Sequence, residues 1–354
     1  MSDPAPRRPE RAPAPGLNWT GHLATFFERY GALVALLLLF GWNALFAENA
    51  AVFRKPENLR NILNQNAATG IVAVGMTLVI VAGGIDLAVG SVMALAAAVA
   101  LLAINAGIAA GLSEGVAVAG GLGIGLLTGL ACGIVNGLLV TVGRLPAFIA
   151  TLGGLVAYRS ITLALADAGE IRSDSQEVLS SIGRGGVPVI PGTWLESGRT
   201  LTFTWNIVLF FLVAALGSIL LARTRYGRHL VAVGGNETAA RYSAIPVDLV
   251  RLGAFTLMGL CAAVAGLMQA ARMNSVSSSQ LGLQMELDAI AAVVIGGTSM
   301  AGGKGRVWGT VIGVLILAII NNMLVVAGVS VHWQGFVKGV IIILAVLIQR
   351  GRRS

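Results

Sequence analysis

Side chains that do acid–base, nucleophilic or metal chemistry work in clusters, and this chain has few. His22, His229 and His332 stand far apart, and no H-E-x-x-H spacing occurs. Cys132 and Cys261 both fall within apolar runs and read as packing residues rather than a disulfide pair. A membrane enzyme would need a converging nucleophile, base or metal cluster, and the sequence offers none. One segment tempts toward nucleotide chemistry, IGGTSMAGGKG at Ile295–Gly305. A phosphate loop needs Gly, four residues, then Gly-Lys-Ser/Thr. Here Thr298 stands five residues before Gly303–Lys304, and Gly305 replaces the hydroxyl that would hold magnesium. This chain is expected to have no ATP site and no cofactor of its own.

Hydrogen bonding and charge pairing remain. The hydrophilic run Arg223–Arg251, RTRYGRHLVAVGGNETAARYSAIPVDLVR, is where Arg, His and Glu gather between two apolar stretches. Within it Gly234 and Gly235 break the preceding segment, and Asn236 is placed to cap a short helix. Glu237 falls in that helix's first turn, where the dipole favours a carboxylate. Arg241 follows at i+4 on the same face, and Pro246 limits the extension. Inside the apolar runs, the uncharged polar set includes Asn64, Gln65, Asn66, Asn136, Gln269, Asn321 and Asn322. Amides bond sugar hydroxyls at modest desolvation cost and bridge helices equally well. Asn64, Gln65, Asn66, Asn321 and Asn322 are the candidates for lining a route. Asp86 sits in a turn and is read as a cap on the following helix, near an interface.

These groups are carried by a chain that is 56% hydrophobic and 11% charged, with a mean hydropathy of +0.83. A soluble chain carries about twice that charged fraction. Repeated apolar runs of roughly 20 residues match a hydrocarbon core. The expected fold class is all-α, a polytopic transmembrane helical bundle. Ten spans are expected: Tyr30–Ala47, Ile62–Ala82, Leu87–Ala106, Val116–Val140, Leu145–Ala166, Trp205–Ala222, Leu252–Ala270, Leu287–Ile295, Val307–Ala327 and Trp333–Gln349. The eighth is too short to cross alone, so it is either longer than its apolar part or re-entrant. Residues 1–29 read as a disordered cytoplasmic tail, 30–349 as the membrane domain with its loop at 223–251, and 350–354 as a basic tail. The net charge of +8 collects in loops and tails, a topology signal rather than a nucleic-acid footprint. Both termini are expected inside. The largest outside loop, Asp167–Thr204, carries Asp167, Glu170, Asp174, Glu177 and Glu196.

Gly121, Gly125, Gly129, Gly133 and Gly137 recur every fourth residue in the fourth span, and Gly305, Gly309 and Gly313 repeat the spacing in the ninth. Such a ridge lets another helix approach closely, so helix packing is the reading preferred over route lining. The turns AGGIDLAVGS at Ala82–Ser91 and IGGTSMAGGKG resemble each other, a weak trace of internal duplication.

Three motifs in order, GGIDLAVGS, YGRHLVAVGGNETAARYSAI and ELDAIAAVVIGGTSMAGGKGRVWGT, resemble the ribose/xylose-type sugar permeases of ABC importers over about Asn58–Gln349. That resemblance implies a multi-pass subunit of the bacterial inner membrane. It implies pairing with a second permease (a like copy or a different one), a cytoplasmic ATPase that holds the ATP and Mg, and a periplasmic sugar-binding protein. It also implies that Gly234–Ile245 is a coupling helix docking on the ATPase through Gly234, Gly235, Asn236, Glu237 and Arg241. The chain departs from the pattern at Ala88, where Ser is frequent, and at Ala244, where Gly is frequent. The rival is a proton- or sodium-driven secondary transporter, which would carry ionisable groups near the midplane.

Overall fold

The computed structural model describes residues 19–46, 50–194, 200–330, 333–341 and 343. Helix α1 (Trp19–Leu45) begins inside the stretch read as a tail, and α2 (Ala50–Phe53) is a single turn. Residues 1–18 and the basic tail 350–354 lie outside the described residues. Pro56 at the first helical position starts α3 (Pro56–Val81), where its missing N–H costs no bond. Then come α4 (Val89–Ala109), α5 (Glu114–Thr141) and α6 (Ala147–Leu165). An extramembrane stretch holds β1 (Glu170–Arg172), α7 (Val178–Arg184), β2 (Gly186–Ile190) and β3 (Leu201–Thr204). It leads into α8 (Trp205–Arg223), α9 (Arg225–Gly235), α10 (Glu237–Tyr242) and α11 (Val247–Met273). The series continues with β4 (Ser275–Ser277), α12 (Met285–Ile295) and α13 (Val307–Val326); residues 333–341 are again helical.

Seven of these helices, α3, α4, α5, α6, α8, α11 and α13, are long and apolar enough to cross a membrane. The all-α membrane class therefore stands, while the count of ten spans is not carried by helix length. Helix α12 has 11 residues, about 17 Å at 1.5 Å per residue against a hydrocarbon core of roughly 30 Å. The helix starts before the apolar part read from sequence, at Met285 instead of Leu287, yet stays too short to cross alone, and non-helical backbone precedes it from Ser278 to Gln284. Within that stretch Ser278 and Gly282 are buried, while Ser279, Gln280, Leu283 and Gln284 are exposed. The last expected span is described only at 333–341 and 343.

The glycine spacing does what a side-chain-free ridge should do. A Cβ on Gly129 would fall within Ala263 and the Gly259 carbonyl of α11, and one on Gly133 would lie 2.5 Å from the Phe255 oxygen. Gly121 and Gly125 meet α4 in the same way, and Gly137 meets Leu252. Gly309 and Gly313 abut the Gly296 and Ala292 carbonyls at the end of α12. Lipid tails are as apolar as Leu, so such backbone approach and a few hydrogen bonds carry the association. Helix α3 is the central post, with 78% of its apolar window buried against 22% for α6.

The two ends of α11 define opposite ends of the bundle. At its start, Asp248 pairs with Arg144 of the α5–α6 turn, and Glu237 pairs with Arg251. At its finish, β4 pairs antiparallel with β1, Ile171 facing Val276, and Asn274 donates to the Ser175 carbonyl. Two short two-stranded sheets at this far end, β1–β4 and β2–β3, were not foreseen from sequence. Glu114 organises the segment there by accepting from the backbone N–H groups of Glu177 and Val178, both at 2.9 Å. Glu196, assigned to the same loop, lies outside the described residues.

Candidate functional site

The hydrophilic run folds as the local rules require. Thr224 caps α9, its hydroxyl accepting from the Gly227 N–H at 3.0 Å. Asn236 caps α10, its side-chain oxygen accepting from the Ala239 N–H at 3.0 Å. Arg241 reaches Glu237 at 3.0 Å, the expected i+4 pair. The tertiary structure extends that pair: Arg251 meets the second Glu237 oxygen at 2.7 Å, Arg241 meets Asp248 at 3.1 Å, and Arg144 meets Asp248 at 3.7 Å. Alternating charges thus tie α10 to α11 and to the α5–α6 turn.

Burial pushes the Glu237 carboxyl up, but hydrogen bonds and charge from Arg241 and Arg251 outweigh it and hold the group below its ordinary range. Bonds to Asp248 and Glu237 hold Arg241 charged more firmly still. Glu237 and Arg241 are therefore committed first to positioning α10. Two large side chains stand out beside them: Tyr242 is 88% exposed and Leu249 66%. Leu249 lines a groove of about 360 Å³ together with Arg241, Ile245, Pro246, Val247 and Asp248.

Ala244 closes α10 with φ +57°, the left-handed region that costs an L-residue roughly 1–2 kcal/mol. This is the position where the resemblance leads one to expect Gly.

Gly234 and Gly235, expected to break the helix and to take part in docking, end α9 and lie against both glycine turns. The Gly303 N–H donates to the Val81 carbonyl at 2.9 Å, joining the turn before α13 to the end of α3. A Cβ on Gly234 would fall inside that same Val81 oxygen and 2.7 Å from the Gly303 nitrogen. A Cβ on Gly302 would lie 3.1 Å from the Gly83 Cα. The three motifs, distant in sequence, thus meet backbone to backbone at one point.

The amide candidates divide differently. Asn64 bridges α3 to the start of α8, accepting from Thr204 at 2.6 Å and Asn206 at 3.2 Å. Asn322 exchanges hydrogen bonds with Asn58 across α13 and α3, the shorter at 3.0 Å. Asn66 donates to the Ile62 carbonyl of its own helix at 2.8 Å. Gln65 is exposed, and the buried Asn321 oxygen has no partner among the described residues. Asn64 and Asn322 are thus engaged as helix bridges, and the five do not form one cluster.

Asp86 needs correction. It is 2% exposed and accepts from the Ala88 N–H at 2.8 Å, closing a turn ahead of α4. The N-cap of α4 is Ala88, and no side chain caps it. Asp86 lies two residues upstream of that cap, too early to serve the first-turn donors.

Sequence reading also missed a buried bond between Thr77 of α3 and Thr310 of α13 at 2.7 Å. Neither threonine differs in type or spacing from a surface threonine, so nothing in the sequence singled them out. Among the described residues no group of three metal-ligating side chains forms, and both cysteines are free.

Comparison with known proteins gives the same direction. A family model described as branched-chain amino acid transport system / permease component matches residues 58–346. The ribose import permease protein RbsC of Escherichia coli (strain K12) is 41% identical over 335 residues, covering 91% of this chain and 94% of that protein. Its namesake in Bacillus subtilis (strain 168) is 40% identical over 306 residues, 85% of this chain and 87% of the relative. The xylose transport system permease protein XylH of Escherichia coli (strain K12) is 34% identical over 369 residues, 90% of each. No solved structure matches the chain.

Proposed function

Because the chain belongs to the family of transport-system permease components, we propose that it is the membrane permease subunit of an ATP-driven ABC sugar importer. It sits in the bacterial inner membrane as a multi-pass protein and provides the route for a monosaccharide of the ribose or pentose type. A cytoplasmic ATPase subunit supplies the hydrolysis, and a periplasmic binding protein delivers the sugar. The permease pairs with a second permease. No bond of the substrate is broken in this chain.

The observation that carries the reading is the meeting of the α9–α10 loop with both glycine turns, at Val81, Gly234 and Gly303. A loop that docks a motor must touch the spans that move, and this one does so without intervening side chains. Arg223, Arg225, Arg228, Arg144, Lys304 and Arg306 gather at that end, which supports placing it in the cytoplasm. The exposed Tyr242 and Leu249 beside the groove are the contact residues for the ATPase, with Asn236, Glu237 and Arg241 holding α10 in position.

Two features weigh against a proton- or sodium-driven carrier. Lys338 is paired with Asp288 at 3.1 Å, and the Arg159 guanidinium donates to the Ser278 and Leu281 carbonyls at 2.8 and 2.9 Å. Asp288, a carboxylate of the kind that would hold a conducted cation, is thus engaged by Lys338.

The test is affinity purification of the tagged protein from native membranes, followed by uptake of labelled D-ribose in vesicles. Co-purification of a Walker-motif ATPase and ATP-dependent uptake are expected. Ribose or pentose uptake that continues without ATP would sink the importer reading.

A further inference from the structure

The junction of Gly234 with the two glycine turns has geometry that simple loop packing does not require. Most loops touch a bundle through side chains, whose rotamers absorb small displacements. Here the contact is peptide on peptide. The Val81 carbonyl accepts from the Gly303 N–H at 2.9 Å, and the Gly234 Cα lies so near that a Cβ there would overlap that oxygen. A Cβ on Gly303 would come within 2.6 Å of the Gly235 Cα, and one on Gly302 within 2.7 Å of the Gly234 oxygen. Gly83, Gly302 and Gly303 take φ values of +83°, +83° and +71°, conformations that bring their peptides to the junction.

What the junction joins is equally specific. On the loop side it terminates α9, whose start is seated on α8 through Gly227 against the Leu220 and Leu221 carbonyls. On the membrane side it reaches the last residue of α3 and the connection between α12 and α13. Helices α3 and α13 are bonded to each other deeper in the bundle through Thr77 and Thr310. Helix α10 is attached elsewhere, by its ion pairs to Asp248 and Arg251 of α11, and Asp248 in turn meets Arg144 of the α5–α6 turn. The loop is thus held by α8 and α11, the latter also through the Tyr226 hydroxyl on the Val250 carbonyl at 2.9 Å, and it separately meets the α3–α13 pair at the glycine junction.

We infer that Gly234, Gly303 and the Val81 carbonyl form a backbone relay that passes displacement of the α9–α10 loop into α3 and α12–α13. In this role Gly234 and Gly303 are positioning residues for transport, distinct from the residues that bind the ATPase. The inference rests on the permease reading above. A peptide contact with no side chain between its parts has no rotamer slack, so a shift of the loop becomes a shift of α3.

The experiment uses the complete complex of permease, ATPase subunit and binding protein in proteoliposomes, with labelled D-ribose as the transported probe. Three permease variants are compared with the parent: Gly234→Ala, Gly303→Ala and, as a control on α5, Gly120→Ala, whose added Cβ meets nothing within 4 Å. Sugar moved per ATP hydrolysed is read beside the amount of ATPase retained by the permease. Gly234→Ala and Gly303→Ala are expected to retain the ATPase and to hydrolyse ATP. Their sugar moved per ATP should fall about tenfold, the order expected when one carbon is forced into a filled contact. Gly120→Ala should match the parent. The relay is overturned if both junction variants keep the parental ratio, or if they lose ATPase in proportion to transport, which would place them in folding or docking. A parent complex that imports ribose without ATP would overturn the permease reading, and the relay with it.

Discussion

At the residue scale, the loop's local chemistry could be read directly because helix caps and i+4 pairs are set by neighbours in sequence. Asn236→Ala should remove the bond to Ala239 and cost α10 about 1 kcal/mol. Hydrogen exchange at residues 237–242 should quicken accordingly, and an unchanged rate would mean the cap is idle. The Glu237 carboxylate is held below its ordinary value of 4.5, so its contribution to loop stability is fully present above that value and fades as pH falls through the lowered one. Proteolytic nicking of the loop should therefore rise only under acid conditions, and Glu237→Gln should abolish the dependence. Ala244→Gly should relieve left-handed strain. Against roughly 1–2 kcal/mol of strain stands about 0.5–1 kcal/mol of glycine's own entropy cost, so a net gain of up to about 1.5 kcal/mol is expected in thermal melts. Partners such as Arg251 and Asp248 were less legible. Asp248 reads as a first-turn helix acid, but only the fold shows which arginines it meets.

At the element scale, apolar run length and glycine period carried most of the information. The expected span centres match helices because a helix that buries its backbone bonds in lipid leaves a continuous apolar run. On α5, Gly133→Leu should wedge α5 from α11 at Phe255 and Gly259 and lower the melting temperature, overpacking costing about 1–3 kcal/mol. Gly123→Leu, on a face where nothing lies within 4 Å, should melt near the parent in the same detergent. Equal destabilisation by both would mean that helix propensity and not the ridge is at stake. Helix α12 shows the limit of run length: the apolar run located it, but not its start at Met285 or the turn backbone that leads into it. Its tie to the last described helix, Asp288 to Lys338, lies 50 positions apart and carries no local signature. Asp288→Lys alone should lower thermal stability, and adding Lys338→Asp should restore much of it.

At the scale of the whole molecule, the proposed importer has two regions that answer to different partners. The end bearing α9, α10 and the two glycine turns offers the groove by Leu249, and the opposite end carries the small sheets and α7. Replacing Tyr242 and Leu249 together with Ser should leave insertion and folding intact, since both side chains lie mostly exposed. The proposed ATPase docking should weaken, read as less ATPase retained at a given permease level. Retention equal to the parent would move the docking surface elsewhere. The family resemblance reached this scale from sequence because three motifs in fixed order are specific, whereas no rule of composition or period could have placed them together in space.

By itself the sequence determined the membrane class, the long apolar helices, the close-packing face of α5, and the capped and charge-paired helix at Asn236–Arg241. Each is a local property: a run of apolar residues, a period, or neighbours within one turn. The tertiary structure alone decided that Gly234 meets Val81 and Gly303, that Asn64 and Asn322 are engaged in bridging helices, that Asp86 is buried ahead of its helix, and that Thr77 and Thr310 join. Asn64 and Thr204 lie 140 positions apart in sequence and the two threonines 233. In lipid, helices choose neighbours by fit between backbones and a few polar groups, and that fit exists only once the whole bundle is assembled.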